Sequence, residues 1–358
     1  MIVFLLLLPT GYEGAIIYQG TDRCSALVIN TDESMVIHSG LIKSGEQTCT
    51  LKLLGGRFKG KEVEGYNLLS GSLESDKIFS VGDKALVVVS YNEDEILSVN
   101  MIDHYRMDKE WSLIGIFCVL LILFAGKKGI MSIMSFIISI LMIWKVLVPC
   151  TLNGANPILI GLAVVMVLTV VIMMFVYGMD RRCVSAVMGS LLGIITTFIL
   201  GYFFTDWFKI HGAIMTYSES LLYAGFEHLN LTKIFISSIF IGASGAVMDI
   251  SVDITSSVYE VVQKKPDITW KEAAWSGIHV GQAAMGTMTT TLLLAYSGGY
   301  LALLMVFMAQ GTPIYNILNY KYVSAEILDT IVGSIGLVTV APFTALTSGI
   351  LLTYKHYM

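Results

Sequence analysis

Residues 157–177 run for 21 positions without one charged side chain. No other feature restricts the chain as much, because about 20 apolar residues are what a helix needs to cross a bilayer. Comparable segments recur, and the pattern predicts spans near 111–126, 130–149, 157–177, 184–205, 232–262, 274–297, 300–316 and 330–353. Composition agrees: charged residues make up 14% of the 358, against roughly 25% in soluble domains. The charge is also uneven. Residues 1–110 hold 26 of the 49 formal charges. A small acidic water-soluble domain is therefore followed by a membrane domain. The balance excludes a soluble enzyme and a disordered chain. The net charge of −5 and the lack of any basic run leave no footprint for nucleic acid.

The fold class expected is mainly α, a polytopic helical membrane bundle with a small all-β domain ahead of it. Residues 1–14 begin with Met1–Leu8, an apolar run too short to span, and read as the remnant of a membrane anchor. Residues 15–108 read as β: short runs such as Ala85–Val89 and Thr50–Leu54 alternate with turns at Gly55-Gly56, Gly71-Ser72 and Gly82-Asp83. A barrel or a sandwich fits that spacing. Residues 109–358 form the membrane domain, with seven to eight spans. The segment 300–316 reads either as a span or as a re-entrant helix. Cys24 and Cys49 would bridge if the β domain faced an oxidising space. Cys118, Cys150 and Cys183 are small apolar-core residues. No spacing suggests zinc, and no metal or cofactor is expected.

Basic residues cluster at Lys127-Lys128, Arg181-Arg182 and Lys264-Lys265 with Lys271. By the positive-inside rule these loops are cytoplasmic, which puts the β domain on the outer side of a plasma membrane. In the loop 206–231, Leu221, Leu222, Ala224, Gly225 and Phe226 suggest a helix lying on that outer surface.

The chemistry concentrates in the span 232–262. Asp249 lies about 24 Å from Lys233 along a helix and about 22 Å from Lys264, close to the middle. Asp253 is one turn nearer the basic loop. Gly242, Ala246, Asp249, Asp253, Ser256 and Glu260 recur at intervals of four and three, on one helix face. Carboxylates at that depth cost about 2.5–3.5 kcal/mol each on insertion scales, so they should face protein or water. Two of them a turn apart repel when both are ionised, the property that a proton-carrying site exploits. The competing structural reading is that both acids fix helix packing through hydrogen bonds. The next span offers a natural facing wall: His279, Gln282, Gly286 and Thr289 share a face, with Thr290 beside it. No Lys or Arg lies near enough to neutralise the acids, since Lys145 should snorkel to the interface.

Several motifs resemble those of the YibE/F-like family of bacterial multi-pass membrane proteins. They include Gly56-Arg-Phe-Lys-Gly-Lys61, Ile102-Asp-His-Tyr-Arg106 and Leu152-Asn-Gly-Ala-Asn-Pro157. The strongest are Gly245-Ala-Val-Met-Asp249, Met285-Gly-Thr-Met288 and Leu294-Ala-Tyr-Ser-Gly-Gly299. Gln282 and Ala283 stand where many members carry Arg-Asp. The resemblance implies a membrane permease; the chain is expected not to be an enzyme and to have no catalytic residues. A weaker resemblance links the Asp-bearing span and the Thr289-Thr290 pair to the proton-coupled half-unit of the resistance–nodulation–division superfamily, including protein-export auxiliary subunits. A third likeness is to rhomboid proteases, through Gly242-Ala-Ser-Gly245 and His279, which would make Ser244 a nucleophile and His279 its base. The expected role is transport, proton-coupled through Asp249, Asp253, His279, Gln282, Thr289 and Thr290. The alternatives are that protease or a non-catalytic scaffold. The expected partners are the lipid bilayer, a small solute, ion or exported substrate, and a second membrane protein or further copies of the chain.

Overall fold

The computed structural model describes residues 1–12 and 20–354. The expected start of the β domain at residue 15 lies outside the described residues. The chain divides into two compact units, Tyr12–Leu121 and Met1–Gly11 with Ile122–Met358.

The first unit is a closed five-stranded barrel. Its strands are β1 (Thr21–Ser39), β2 (Ile42–Leu53), β3 (Glu62–Ser70), β4 (Lys84–Asn92) and β5 (Glu95–His104), in the order β1-β2-β3-β5-β4. All neighbours pair antiparallel except β3 and β5. Closure removes the exposed edges that an open sheet would present. Alternation drives it: Ala85, Val87 and Val89 point inward and are buried, while Lys84, Leu86 and Val88 are not. Two buried amides pin the long link between β3 and β4. Gln47 donates to the Phe79 carbonyl and accepts from its N–H at 3.1 Å, and Asn67 donates to the Lys77 carbonyl at 2.7 Å.

The barrel corrects the disulfide expectation. Cys24 pairs across from Val87, while Cys49 pairs across from Thr31. Seven residues of β1 separate those positions, about 23 Å at the rise of a strand. A disulfide requires Cα atoms within about 7 Å. Both thiols are free and buried. Burial pushes Cys49 up to about 11, and the charge of Glu33 adds to it.

The helices are α1 (Ile2–Leu7), α2 (Met107–Ala125), α3 (Lys127–Met142), α4 (Val148–Leu152), α5 (Pro157–Tyr177), α6 (Arg181–Trp207), α7 (Ser218–Tyr223), α8 (Leu231–Lys264), α9 (Trp270–Ser297), α10 (Leu301–Ala309), α11 (Ile314–Leu318) and α12 (Lys321–Thr353). A π turn over Ile143–Leu147 joins α3 to α4, and a 3₁₀ turn over Gly298–Tyr300 joins α9 to α10. Among the described residues, six segments are long and apolar enough to cross a membrane: Lys127–Leu152, Pro157–Tyr177, Arg181–Trp207, Leu231–Lys264, Trp270–Ala309 and Lys321–Thr353. The stretch expected as a separate segment at 300–316 is thus a nine-residue continuation of the preceding helix, about 14 Å long. Leu5 of α1 is buried among Ile138, Met142 and Val164. In the loop after α6, the expected surface helix is the six-residue α7.

Three helices form the centre of the bundle: α6, α8 and α12. Small residues bring them together, as membrane helices require when no hydrophobic effect drives their association. A methyl group on Gly193 of α6 would come 2.8 Å from Val340 Cβ of α12. Fully buried hydroxyls cross-link the same helices. Ser348 Oγ lies 2.7 Å from Ser185 Oγ and 3.1 Å from Thr255 Oγ1, and Ser251 Oγ lies 3.0 Å from Thr344 Oγ1. Thr347 Oγ1 also donates to the Ser185 carbonyl at 3.1 Å.

Candidate functional site: acids and tyrosines across the bundle

Helix α8 is capped by Asn230, whose side chain accepts from the Lys233 N–H, and it then runs unbroken for 34 residues. One side of it is the deepest part of the bundle. Val247, Ile250, Ser251, Ile254, Thr255 and Val258 are all buried. The opposite stripe is open: Gly242, Asp249, Asp253 and Glu260 are exposed, and Ala246 and Ser256 are half-buried. No ion pair among the described residues includes Asp249 or Asp253. At the basic end the stripe is held by its neighbours. Tyr177 Oη donates to the Val252 carbonyl at 2.7 Å and lies 2.8 Å from Ser256 Oγ. The Arg182 guanidinium sits 4.3 Å from the centre of the Tyr259 ring and bonds Asp180 at 2.8 Å. That bond holds the Asp180 carboxyl below the usual carboxylate range.

Helix α9 starts with a capping box, Thr269 with Glu272, and packs antiparallel on α8. Two close approaches set the register. A methyl on Gly277 would come 2.8 Å from Val258 Cγ2, and one on Gly281 would come 3.1 Å from Ile254 Cδ1. Counting along both helices, Asp253 is level with Gln282, Asp249 with Gly286 and Ala246 with Thr289. His279 is level with Ser256. His279 and Gln282 are exposed, and the His279 ring meets Trp275 edge-on at 5.3 Å. The threonine hydroxyls turn back on their own helix: Thr289 donates to the Met285 carbonyl at 3.0 Å and Thr290 to the Gly286 carbonyl at 3.4 Å. The acids and this wall therefore share depth, and no hydrogen bond joins them among the described residues.

The Ser244–His279 pair is not brought together. The same register puts Ser244 level with Thr291, twelve residues from His279, or about 18 Å along the axis. Ser244 Oγ instead donates to the Ile241 carbonyl at 2.7 Å. A nucleophile needs its base within hydrogen-bond reach, and this serine has none in His279.

A second acid pair went unnoticed in the sequence. Glu326 and Asp329 lie in the first turns of α12, and each has one carboxyl oxygen shut off from solvent with no hydrogen-bond partner. Glu326 lines a cavity of about 200 Å³ together with Ser297, Tyr300, Leu304 and Thr330. Apolar periodicity placed the start of this span at residue 330, so both acids read as loop. The signal available was the run Val323–Leu328, which continues the helix backward through the charges. Tyr296 of α9 reaches the end of the α8 stripe away from the basic loop. A methyl on Gly242, at the far end of the α8 stripe, would come 2.7 Å from Tyr296 Oη. Ionisable or hydroxyl side chains therefore occur at successive levels, without hydrogen bonds between them among the described residues: Glu260, Asp253 and Asp249 on α8, Thr289 and Tyr296 on α9, and Glu326 and Asp329 on α12. Among the described residues no three His, Cys, Asp or Glu side chains converge as a metal site.

Six apolar helices around a core of small residues and hydroxyls define a multi-pass membrane protein. The family follows from comparison: the sequence profile of the YibE/F-like protein family matches residues 113–354, two thirds of the chain, and the chain belongs to that family. No curated protein and no solved structure matches it.

Proposed function

We propose that the protein is a transporter of the plasma membrane in which proton movement drives or accompanies passage of a small solute, an ion or an exported substrate. The single observation that carries this reading is the trail of ionisable side chains spanning the bundle on α8, α9 and α12. Acids at such depth are costly to keep, and in membrane proteins they mark ion pathways and proton relays. Asp249 and Asp253 are the sites that bind and release the proton. Thr289 and Tyr296 bridge the interval to Glu326 and Asp329. Gln282 stands at the level of Asp253, and His279 at that of Ser256, one turn nearer the basic loop. The basic residues at the start of α3, between α5 and α6, and between α8 and α9 face the cytoplasm. The barrel then lies outside, with α2 as a short crossing: past Asp108, Lys109 and Glu110 its uncharged stretch is Trp111–Ala125, about 22 Å of helix, which is shorter than the hydrocarbon core.

The test uses the full chain in liposomes that enclose a pH-sensitive dye, with a potential imposed across the membrane. Wild type should move protons, and Asp249→Asn should abolish that movement while its unfolding transition stays unchanged. Equal proton movement in the variant would sink the reading.

A further inference from the structure

The α8 stripe poses a problem that the single chain does not solve. Asp249 and Asp253 are exposed at membrane depth, where facing lipid costs each carboxylate about 2.5–3.5 kcal/mol. Helix α9 poses the complementary problem. It is among the least buried of the apolar spans, and it leaves His279, Gln282, Ala283, Gly286 and Thr287 open at those same levels. Amide and imidazole N–H groups in that position lack acceptors, and hydrocarbon supplies none.

We propose that these two faces form a two-fold interface with a second copy of this chain, α8 of each copy lying against α9 of the other. Three features favour a second copy. The faces are complementary in chemistry: α8 presents charged acceptors, and α9 presents the donors of His279 and Gln282. They match in depth, because a two-fold axis along the membrane normal keeps every residue at its own level, so Asp253 of one copy meets Gln282 of the other. They also permit close approach, with Gly245 on α8 and Ala283 and Gly286 on α9 all exposed, the small residues that let membrane helices touch. One chain carries both halves of the contact, which is the requirement for a self-complementary interface repeated twice. A different partner would need only one half. The inference rests on these open faces and stands whether or not the protein transports.

The experiment is cross-linking between two differently tagged full-length copies expressed together, one with Gly245→Cys and the other with Thr290→Cys, two exposed positions at the same level. Oxidation in native membranes should give a mixed-tag disulfide dimer several-fold above the wild-type background. A pair carrying Val170→Cys, on the exposed side of α5, should stay at background. The mass of the wild-type protein in lipid nanodiscs is measured alongside and should correspond to an even number of chains. One chain per disc, cross-linking no better than the Val170→Cys pair, or capture of a different protein by Gly245→Cys in place of the second copy would each overturn the proposal.

Discussion

Replacing Ser348 by Ala probes the hydroxyl ladder that holds α6, α8 and α12. Ser348 Oγ reaches Ser185 Oγ at 2.7 Å and Thr255 Oγ1 at 3.1 Å, and all three side chains are buried. Side-chain hydrogen bonds between membrane helices average about 0.6 kcal/mol and reach about 1.7. Losing two therefore costs about 1.2 kcal/mol, with an upper bound near 3.4. The lost contact volume is only one oxygen atom, so cavity terms add little. Ser185→Ala removes one bond and should cost about half as much. The double variant should cost less than the sum of the two, with a coupling of about 0.6 kcal/mol, because the two changes share a bond. The assay is reversible unfolding of the full chain in mixed micelles, followed by tryptophan fluorescence. A Ser348→Ala transition within about 0.3 kcal/mol of wild type, or strict additivity in the double variant, would refute the reasoning.

Other expectations follow from single sites. Gly281→Leu puts a side chain where a methyl alone already meets Ala341 Cβ at 2.8 Å; overpacking of this kind costs about 1–3 kcal/mol, and an unshifted unfolding transition would contradict it. Asp76 accepts from Ser70 N–H and Oγ, Gly71 N–H and Ser72 N–H at 2.7–3.0 Å, and these bonds hold its carboxyl below the ordinary value. A carboxyl lowered in the folded state contributes stability above its unfolded pKa, about 3.9, and loses it as pH falls through the folded value. Hydrogen-exchange protection at Ser70–Ser72, corrected for the intrinsic pH dependence of exchange, should therefore fall below about pH 4 in wild type, and Asp76→Asn should flatten that dependence; a parallel acid response in both would contradict the assignment. Peptide mapping after oxidation should yield no Cys24–Cys49 bridge, and Cys49, with its thiol at about 11, should resist alkylation at neutral pH until the barrel unfolds.

How much of this was legible in the sequence differs between the two units. The barrel strands announced themselves through alternation and glycine turns, as at Ala85, Val87 and Val89. Closure was not legible, because the parallel contact of β3 with β5, Tyr66 beside Asn100, joins residues that no local pattern relates. The cysteines were misleading for the same reason: their separation along β1 appears only once the register is known. In the membrane domain, apolar length located the helices, and three-four spacing put Asp249 and Asp253 on one stripe. It could not say what that stripe faces, which depends on where α5 and α9 pack. Glu326 and Asp329 escaped because hydropathy treats a charge at the start of a span as its end. The 3₁₀ turn at Gly298–Tyr300 was read as a break between spans, since two glycines interrupt the pattern without stopping the helix.

The central claim is that protons bind the carboxylates of the α8 stripe, and carbodiimide labelling tests it most directly. Carbodiimides modify protonated carboxyl groups in apolar surroundings. Wild-type protein in native membranes is labelled across a pH series, and adducts at Asp249 and Asp253 are read by mass spectrometry. Labelling near neutral pH that fades as pH rises is the result this account predicts. No labelling of either residue at any pH would contradict it and leave the acids as fixed, ionised parts of the helix packing.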